Sequence, residues 1–568
     1  MKSLLFFTGL CLISLQAVAQ THIVQGKVTR GEKPVEGVAV YAVESGEGTA
    51  TDANGRYSLQ LKEGTYKLVF SYGNQKSLEV NLDQDKTLNV DLANVEEVLD
   101  EVFLSSVRVT AKSPITYSNL SNEEIEDRNL GQDIPVLMNY MPNVVTTSDA
   151  GAGVGYTGIR VRGSGPTSTN VTINGIPYND AESLGTFWVN LGDFASSVEN
   201  LQLQRGVGTS TNGAGAFGAS INILTDGYSE EANAEIANSY GSFNTHKHTV
   251  KFSTGLIDDH WEFAGRASQI KSDGYIDRAS SDLKSYFLQG TYVDEYTLVK
   301  AITFGGSETT YQAWYGIDAE TLENDRTYNP AGVYTDEAGN TKFYENQTDN
   351  YKQDHYQLLW NQEYNKNWSS NLAFHYTYGR GYYEEYEEDA VLNEFGLENF
   401  QADGEELSTS DLVGTKWLDN DFYGTTFGLN YQDADWDVNF GGAWNRYIGD
   451  HFGEVIYTRF ARNNDPYEPY YENVGRKTDF NLYGKATYAI SDKLAGYLDM
   501  QVRTIDYETE GVLSEGNEFL VNDSFTFFNP KAGLTYALND QNQFYFSYAR
   551  ANREPRRSDY ENGDPEHE

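Results

Sequence analysis

The chain has 568 residues, with 41 Lys and Arg against 84 Asp and Glu, a formal charge of −43. That balance excludes nucleic acid as the default partner, because phosphate contacts need a basic surface, and an aromatic content of 14% excludes an acidic disordered chain. Past Gln20 no apolar run reaches the ~18 residues of a helical membrane span, whereas strands that cross a bilayer alternate in polarity and stay compatible with this composition.

Met1-Lys2-Ser3 is a short basic start, residues 4–15 are an apolar core, and Ala17-Val18-Ala19 is a small-residue cleavage site. Residues 1–19 therefore read as a secretory signal peptide. An N-terminal anchor helix is the alternative, but the apolar core is too short to span. Cys11 lies inside this segment, and Thr8-Gly9-Leu10 before it fit a lipoprotein acylation site poorly. The mature chain then has no thiol for a disulfide, a metal site or a nucleophile.

Residues 20–92 hold strand-like runs at 22–28, 38–43, 56–60, 65–70, 78–82 and 87–92, punctuated by turn clusters such as Asp52-Ala53-Asn54-Gly55. That spacing predicts a small β-sandwich. Val24-x-Gly26-x-Val28, Pro34-Val35-x-Gly37-Val38, Thr51-Asp52-x-Asn54-Gly55-x-Tyr57 and Gly64-x-Tyr66 resemble the carboxypeptidase-regulatory-like domain. In that family the module is non-catalytic. Residues 93–112 read as a linker, acidic first and extended after Val102. An extended stretch of this kind suits strand addition to a partner's sheet edge, or is simply the first strand of the next domain.

Residues 113–225 form a mixed α/β unit. Helices are expected at 122–128 and 133–141, the second stopped by Pro142, and Gly-punctuated strands at 158–162, 170–174, 198–204 and 219–224. From about Ala232 the pattern is alternation: Leu372, Phe374, Tyr376 and Tyr378 face one way, and Asn371, Ala373, His375 and Thr377 the other. About 13 strands follow one another, with short connections at one end (256–259, 294–296, 365–368, 433–435, 491–493, 537–541). The connections at the other end are mostly long (271–283, 311–354, 380–418, 447–476, 509–523). Residues 226–568 thus read as an all-β transmembrane antiparallel barrel, with lipid outside and water inside.

The order of parts resembles a TonB-dependent outer-membrane receptor. The α/β unit carries the specific residues: Ile159-Arg160-Val161-Arg162-Gly163, Val171-Thr172-Ile173-Asn174-Gly175-Ile176-Pro177, Val198-Glu199-x5-Arg205-Gly206, and Gly213-Ala-Gly215-Ala-Phe-Gly218-Ala-Ser-Ile-Asn-Ile. The resemblance implies a plug inside the barrel, a periplasmic N-terminal domain, and a location in the outer membrane of a Gram-negative bacterium. It implies as partners TonB with its inner-membrane energy complex, outer-membrane lipid and lipopolysaccharide. On it, Glu101, Val102, Phe103 and Leu104 fall on the TonB box. Family barrels close on about 22 strands, so the sequence is expected to lack roughly nine.

Arg160, Arg162 and Arg205 lie among apolar strand residues. A buried cation needs a partner, so these three and Glu199 are expected to hold the plug against the barrel wall. Plug loops around Ser164, Thr167, Tyr178 and Phe187, with Tyr311, Trp314 and Tyr315 of the longest outer connection, are expected to face a ligand. Residues 380–418 carry eleven acids against two bases, including Tyr382-Tyr383-Glu384-Glu385-Tyr386-Glu387-Glu388-Asp389. Aromatics offer contact at little entropic cost, and these carboxylates would repel a polyanion.

Other patterns read as bland. Gly213-x-Gly215-x-x-Gly218 matches a dinucleotide fingerprint, but a strand follows where that motif needs a helix. His246 and His248 share one strand face without a third ligand. No catalytic residue, metal site or cofactor is expected. The functional expectation is energy-coupled import of a scarce small molecule, an iron-siderophore or similar metal chelate first. Cobalamin, glycan or peptide import and a non-transporting adhesin or signalling barrel stand as alternatives.

Overall fold

The computed structural model describes residues 21–562 apart from 31–32, 36, 44, 46, 53, 73, 92–107, 111, 214–216, 403, 461–467 and 540–541. The expected TonB box lies outside the described residues. The chain divides into two compact units, Met1–Glu101 and Val102–Glu568.

The first unit is a two-sheet β-sandwich, as expected. Thr21–Arg30 pairs antiparallel with Arg56–Lys62, and Gly64–Tyr72 pairs with Asn74–Leu82 in the second sheet. Alternation in Arg56–Lys62 puts Tyr57, Leu59 and Leu61 inward, where they meet Val24, Val40, Leu68 and Phe70. Asn54-Gly55 makes the tight turn before that strand, with Gly55 at φ +71°, a conformation costly for other residues. The stretch expected as a strand at 87–92 splits into two short pairings, Lys86–Thr87 and Val90–Asp91, both parallel to the first strand.

In the second unit the α/β part has a mixed sheet made of Tyr117–Ser121, Val198–Arg205, Ala219–Thr225, Thr169–Ile173 and Ile176–Pro177 in that spatial order. Ser121 caps the Asn122–Glu126 helix in a capping box with Glu124. The helix expected at 133–141 is only Ile134–Leu137. Gly213 is at φ +80° and the Ala219–Thr225 strand follows Gly218, so a strand stands where a phosphate-holding helix would have to begin.

The rest is a 13-stranded antiparallel meander running from Asn233–Tyr240 to Asn542–Ala549, each strand paired with the next. Its alternation sorts side chains as expected. Phe374, Phe440, Leu498 and Met500 face outward and exposed, while His375, Asn439, Asp499 and Gln501 are buried on the inner face. The α/β part packs against that inner face: Trp188 and Phe194 share one apolar core with Phe287, Ile302, Phe304, Leu359 and Ala373 of the sheet. Phe194 touches Phe304 at a centroid distance of 4.9 Å. The plug therefore lies against the wall through apolar contact as well as ions.

The long connections are shorter than the sequence suggests. Residues 380–418 were expected as a loop, but Trp368–Val391 and Thr409–Gln432 are 24-residue strands that carry most of it. At ~3.3 Å per residue each exceeds by far the ~30 Å hydrocarbon layer. Above that layer the outer face no longer meets lipid, so the sequence loses its apolar rhythm while the backbone ladder continues. The 311–354 connection likewise holds the short helix Ala319–Asn324 and a hairpin of Val333–Thr335 with Thr341–Phe343.

Candidate ligand cavity and plug latches

Between the plug apex and the upper wall lies a cavity of about 780 Å³, within the range of small-molecule sites. The plug supplies its floor through the loop after Ile176–Pro177. Asn179 fixes that loop, accepting the Val171 N–H at 2.6 Å and donating to the carbonyls of Thr169 (2.9 Å) and Leu184 (3.0 Å). Asp180 accepts the N–H groups of Glu182 and Ser183, the local bonding for which Asp is favoured in turns. Tyr178 and Phe187 are thereby presented on a braced loop.

Aromatic side chains dominate the walls. Tyr178 lies 5.4 Å from the His355 ring, which stacks on Phe304 at 4.5 Å. Tyr382 packs on Trp417 at 4.4 Å, and Trp417 stacks on Phe452 at 5.7 Å. Tyr351 donates to Asn420 at 2.9 Å. The cavity's charged lining residues are Asp180, Glu308, Asp349, Glu385 and Lys416, besides His355 and His451; among the described residues no arginine lines it.

Two buried carboxylates tie the plug to the wall. Asp193 faces Lys247 at 2.7 Å and Arg266 at 3.5 Å, and accepts from Thr249 and Ser268 at 2.6 Å each. Burial opposes its charge, but Arg266, Lys247 and these hydrogen bonds prevail and hold its pKa at about 2. Glu182 faces His451 at 2.8 Å and Arg557 at 3.1 Å, and accepts from the Tyr507 hydroxyl at 2.7 Å. Burial again opposes the charge, and His451, Arg557 and Tyr507 hold its pKa at about 2. Gly475 makes room for this carboxylate, since a Cβ there would sit 2.1 Å from Glu182 Oε1. A third tie links the Ser210 N–H to Asp499 at 2.9 Å, with Lys531 donating to the Ser210 hydroxyl at 2.9 Å.

Of the residues expected at the ligand, Tyr178, Phe187, Trp314 and Tyr315 line the cavity, and Ser164, Thr167 and Tyr311 do not. Tyr311 is buried and donates to the carbonyls of Ala331 and Tyr344, so it braces the outer connection from within. Ser164 closes a tight turn through its N–H and carbonyl to Val161. The Thr167 carbonyl accepts from Arg553 at 2.7 Å.

The arginines expected against the wall bond elsewhere. Arg205 donates to the Pro142 carbonyl and Ser118, and Arg162 to Thr116, all within the plug. Arg160 is exposed. Glu199 is exposed too, and its field reaches Arg108, whose pKa burial lowers to about 10 with Glu199 opposing. The wall contacts come instead from Asp193 and Glu182, acids in loops with no local pattern. One signal was readable: Lys247 and Arg266 are cations on the inner side of alternating strands, in a chain with few of them.

Families known from other proteins match along the chain: a CarboxypepD_reg-like domain over 24–104, a TonB-dependent Receptor Plug Domain over 109–220, and a TonB dependent receptor-like β-barrel over 300–566. The chain belongs to the TonB-dependent receptors. These are outer-membrane proteins of Gram-negative bacteria. This receptor is 28% identical over 191 residues to TonB-dependent receptor P26 of Formosa agariphila, covering 31% of this chain and 19% of that one. It is 22% identical over 292 residues to the ferrienterobactin receptor of Escherichia coli K12, covering 46% and 38%. The matches span between 13% and 38% of the curated relatives' own lengths. In fold it is similar to the ferric-catecholate import receptor Fiu of E. coli K12, with a TM-score of 0.58, 15% identity, and coverage of 79% of this chain and 71% of that one.

Proposed function

We propose that this receptor imports a metal chelate, an iron-siderophore complex before others, by an energy-coupled opening of the plug. The observation that carries the reading is the aromatic cavity of about 780 Å³ floored by the plug loop that also bears Glu182. Asp180 and Ala181 line the cavity, and Glu182, next in sequence, is latched to His451 of the wall. A ligand pressing on the floor therefore acts on the latch one residue away. Relatives named as siderophore, ferric enterobactin and ferrienterobactin receptors support the ligand class.

In this reading the residues 101–104, Glu101-Val102-Phe103-Leu104, are the TonB-coupling segment, captured by strand addition from the periplasm. Force on it shifts a plug held by polar ties that can be broken one at a time. Deleting residues 102–105 should abolish uptake of the ferric chelate and leave its binding unchanged. Equal uptake by the deletion strain would reject energy coupling through this segment.

A further inference from the structure

One corner of the cavity is built differently from the rest. Tyr156 of the plug meets Trp314 edge to face at a centroid distance of 5.3 Å, and Trp314 meets Tyr383 edge to face at 6.4 Å. Two carboxyl groups stand among these rings. Asp349 is the register partner of Tyr383 on the neighbouring strand and accepts the Tyr156 hydroxyl. Glu308 lies on the strand beyond; it is 5% exposed, and its Oε2 has no hydrogen-bond partner. Both acids line the cavity.

A buried carboxyl oxygen without a donor is costly, and a second carboxyl beside it adds to that cost unless a proton or a positive charge joins them. The cavity's own ammonium does not fill that role, because Lys416 is engaged by Glu385 at 3.3 Å. Electron-rich ring faces beside carboxylates are the surroundings an organic ammonium prefers, through cation–π attraction and a charge-assisted hydrogen bond.

We propose that Tyr156, Trp314, Tyr383, Glu308 and Asp349 form a subsite for an ammonium group on the ligand, so that the imported molecule is an amine-bearing compound and not a polyanion. The corner binds the amine, and the larger aromatic chamber takes the rest of the molecule. The inference rests on reading this cavity as the ligand site, and it adds the charge and functional group that the site selects.

The test uses the full chain in detergent micelles and two kinds of probe. Benzyltrimethylammonium carries the charge without a metal. A linear ferric trihydroxamate with a free primary amine, and the same complex acetylated on that amine, differ in the ammonium alone. Benzyltrimethylammonium should bind saturably, read by tryptophan fluorescence, and Asp349→Asn and Glu308→Gln should each weaken it about tenfold. Acetylation should weaken the chelate about tenfold in the parent chain and by less than about twofold in Asp349→Asn. Both substitutions remove an ionisable carboxyl and keep the shape, and hydrogen exchange of the plug should match the parent. If both chelates bind equally and benzyltrimethylammonium does not bind, the ammonium subsite is overturned and chelate import stands. If benzyltrimethylammonium binds and neither chelate does, the subsite stands and chelate import falls. If no probe binds, both fall.

Discussion

Replacing Glu182 by Gln tests the latch directly. The side chain is 3% exposed and faces His451, Arg557 and the Tyr507 hydroxyl within 3.1 Å. Moving a carboxyl from its ordinary 4.5 to about 2 corresponds to roughly 3 kcal/mol of interaction with these partners. Breaking one side of a buried pair costs about 3–5 kcal/mol, because the other charge is left behind. The substitution should therefore raise the population of plug loops detached from the wall by at least about a hundredfold. Hydrogen exchange followed by mass spectrometry on residues 178–187 would read this as amide exchange at least about a hundredfold faster, with the barrel strands unchanged. Gly475→Ala should give the same pattern without touching the charge, because its Cβ would displace the Glu182 carboxylate. Exchange within about twofold of the parent in both variants would refute the latch.

Acid should loosen the same contacts. Glu182 and Asp193 both have folded pKa values near 2, below their ordinary 4.5 and 3.8. Their stabilisation is complete above the ordinary values and is lost as pH falls toward 2. Plug opening, read from exchange rates divided by the intrinsic amide rate at each pH from 6 to 2.5, should increase below about pH 4.5 in the parent and much less in a Glu182→Gln, Asp193→Asn double variant. Leu498→Arg, on the outward face, should cost about 2–4 kcal/mol in refolding titrations into lipid vesicles. Val43→Arg, exposed on the N-terminal sandwich, should cost less than about 0.5 kcal/mol in the same titrations.

The sheet was legible because period-two alternation survives wherever one face meets lipid and the other meets the plug. Leu498 and Met500 against Asp499 and Gln501 carry that signal residue by residue. The plug strands were legible because glycines bracket short apolar runs. What failed was the region where the physics stops being two-sided. Tyr382 to Glu387 pair across strands with Trp417 to Leu412, yet an acidic, aromatic run without an apolar alternation looks like a loop. The latch was hidden for a different reason: Asp193 and Glu182 find their partners 54 to 375 positions away, and no local pattern reports that. The arginines misled because charge among apolar residues says that a partner exists and not which one. Within the cavity, Tyr178, Phe187, Trp314 and Tyr315 could be singled out as aromatic residues near expected apex or outer connections. Tyr351 and Trp417 fell inside connections whose geometry the sequence did not reveal.

The 24-residue strands also change how this receptor can vary. Because Tyr382, Tyr383 and Trp417 are held by a continuous backbone ladder, the mouth behaves as a stiff turret. Inserting one residue between Trp368 and Tyr382 would reverse the sidedness of everything that follows on that strand, changing in a single step how Tyr382 and Tyr383 meet the chamber. Diversification of what the chamber accepts is thereby channelled into side-chain exchange, or into paired insertions on neighbouring strands.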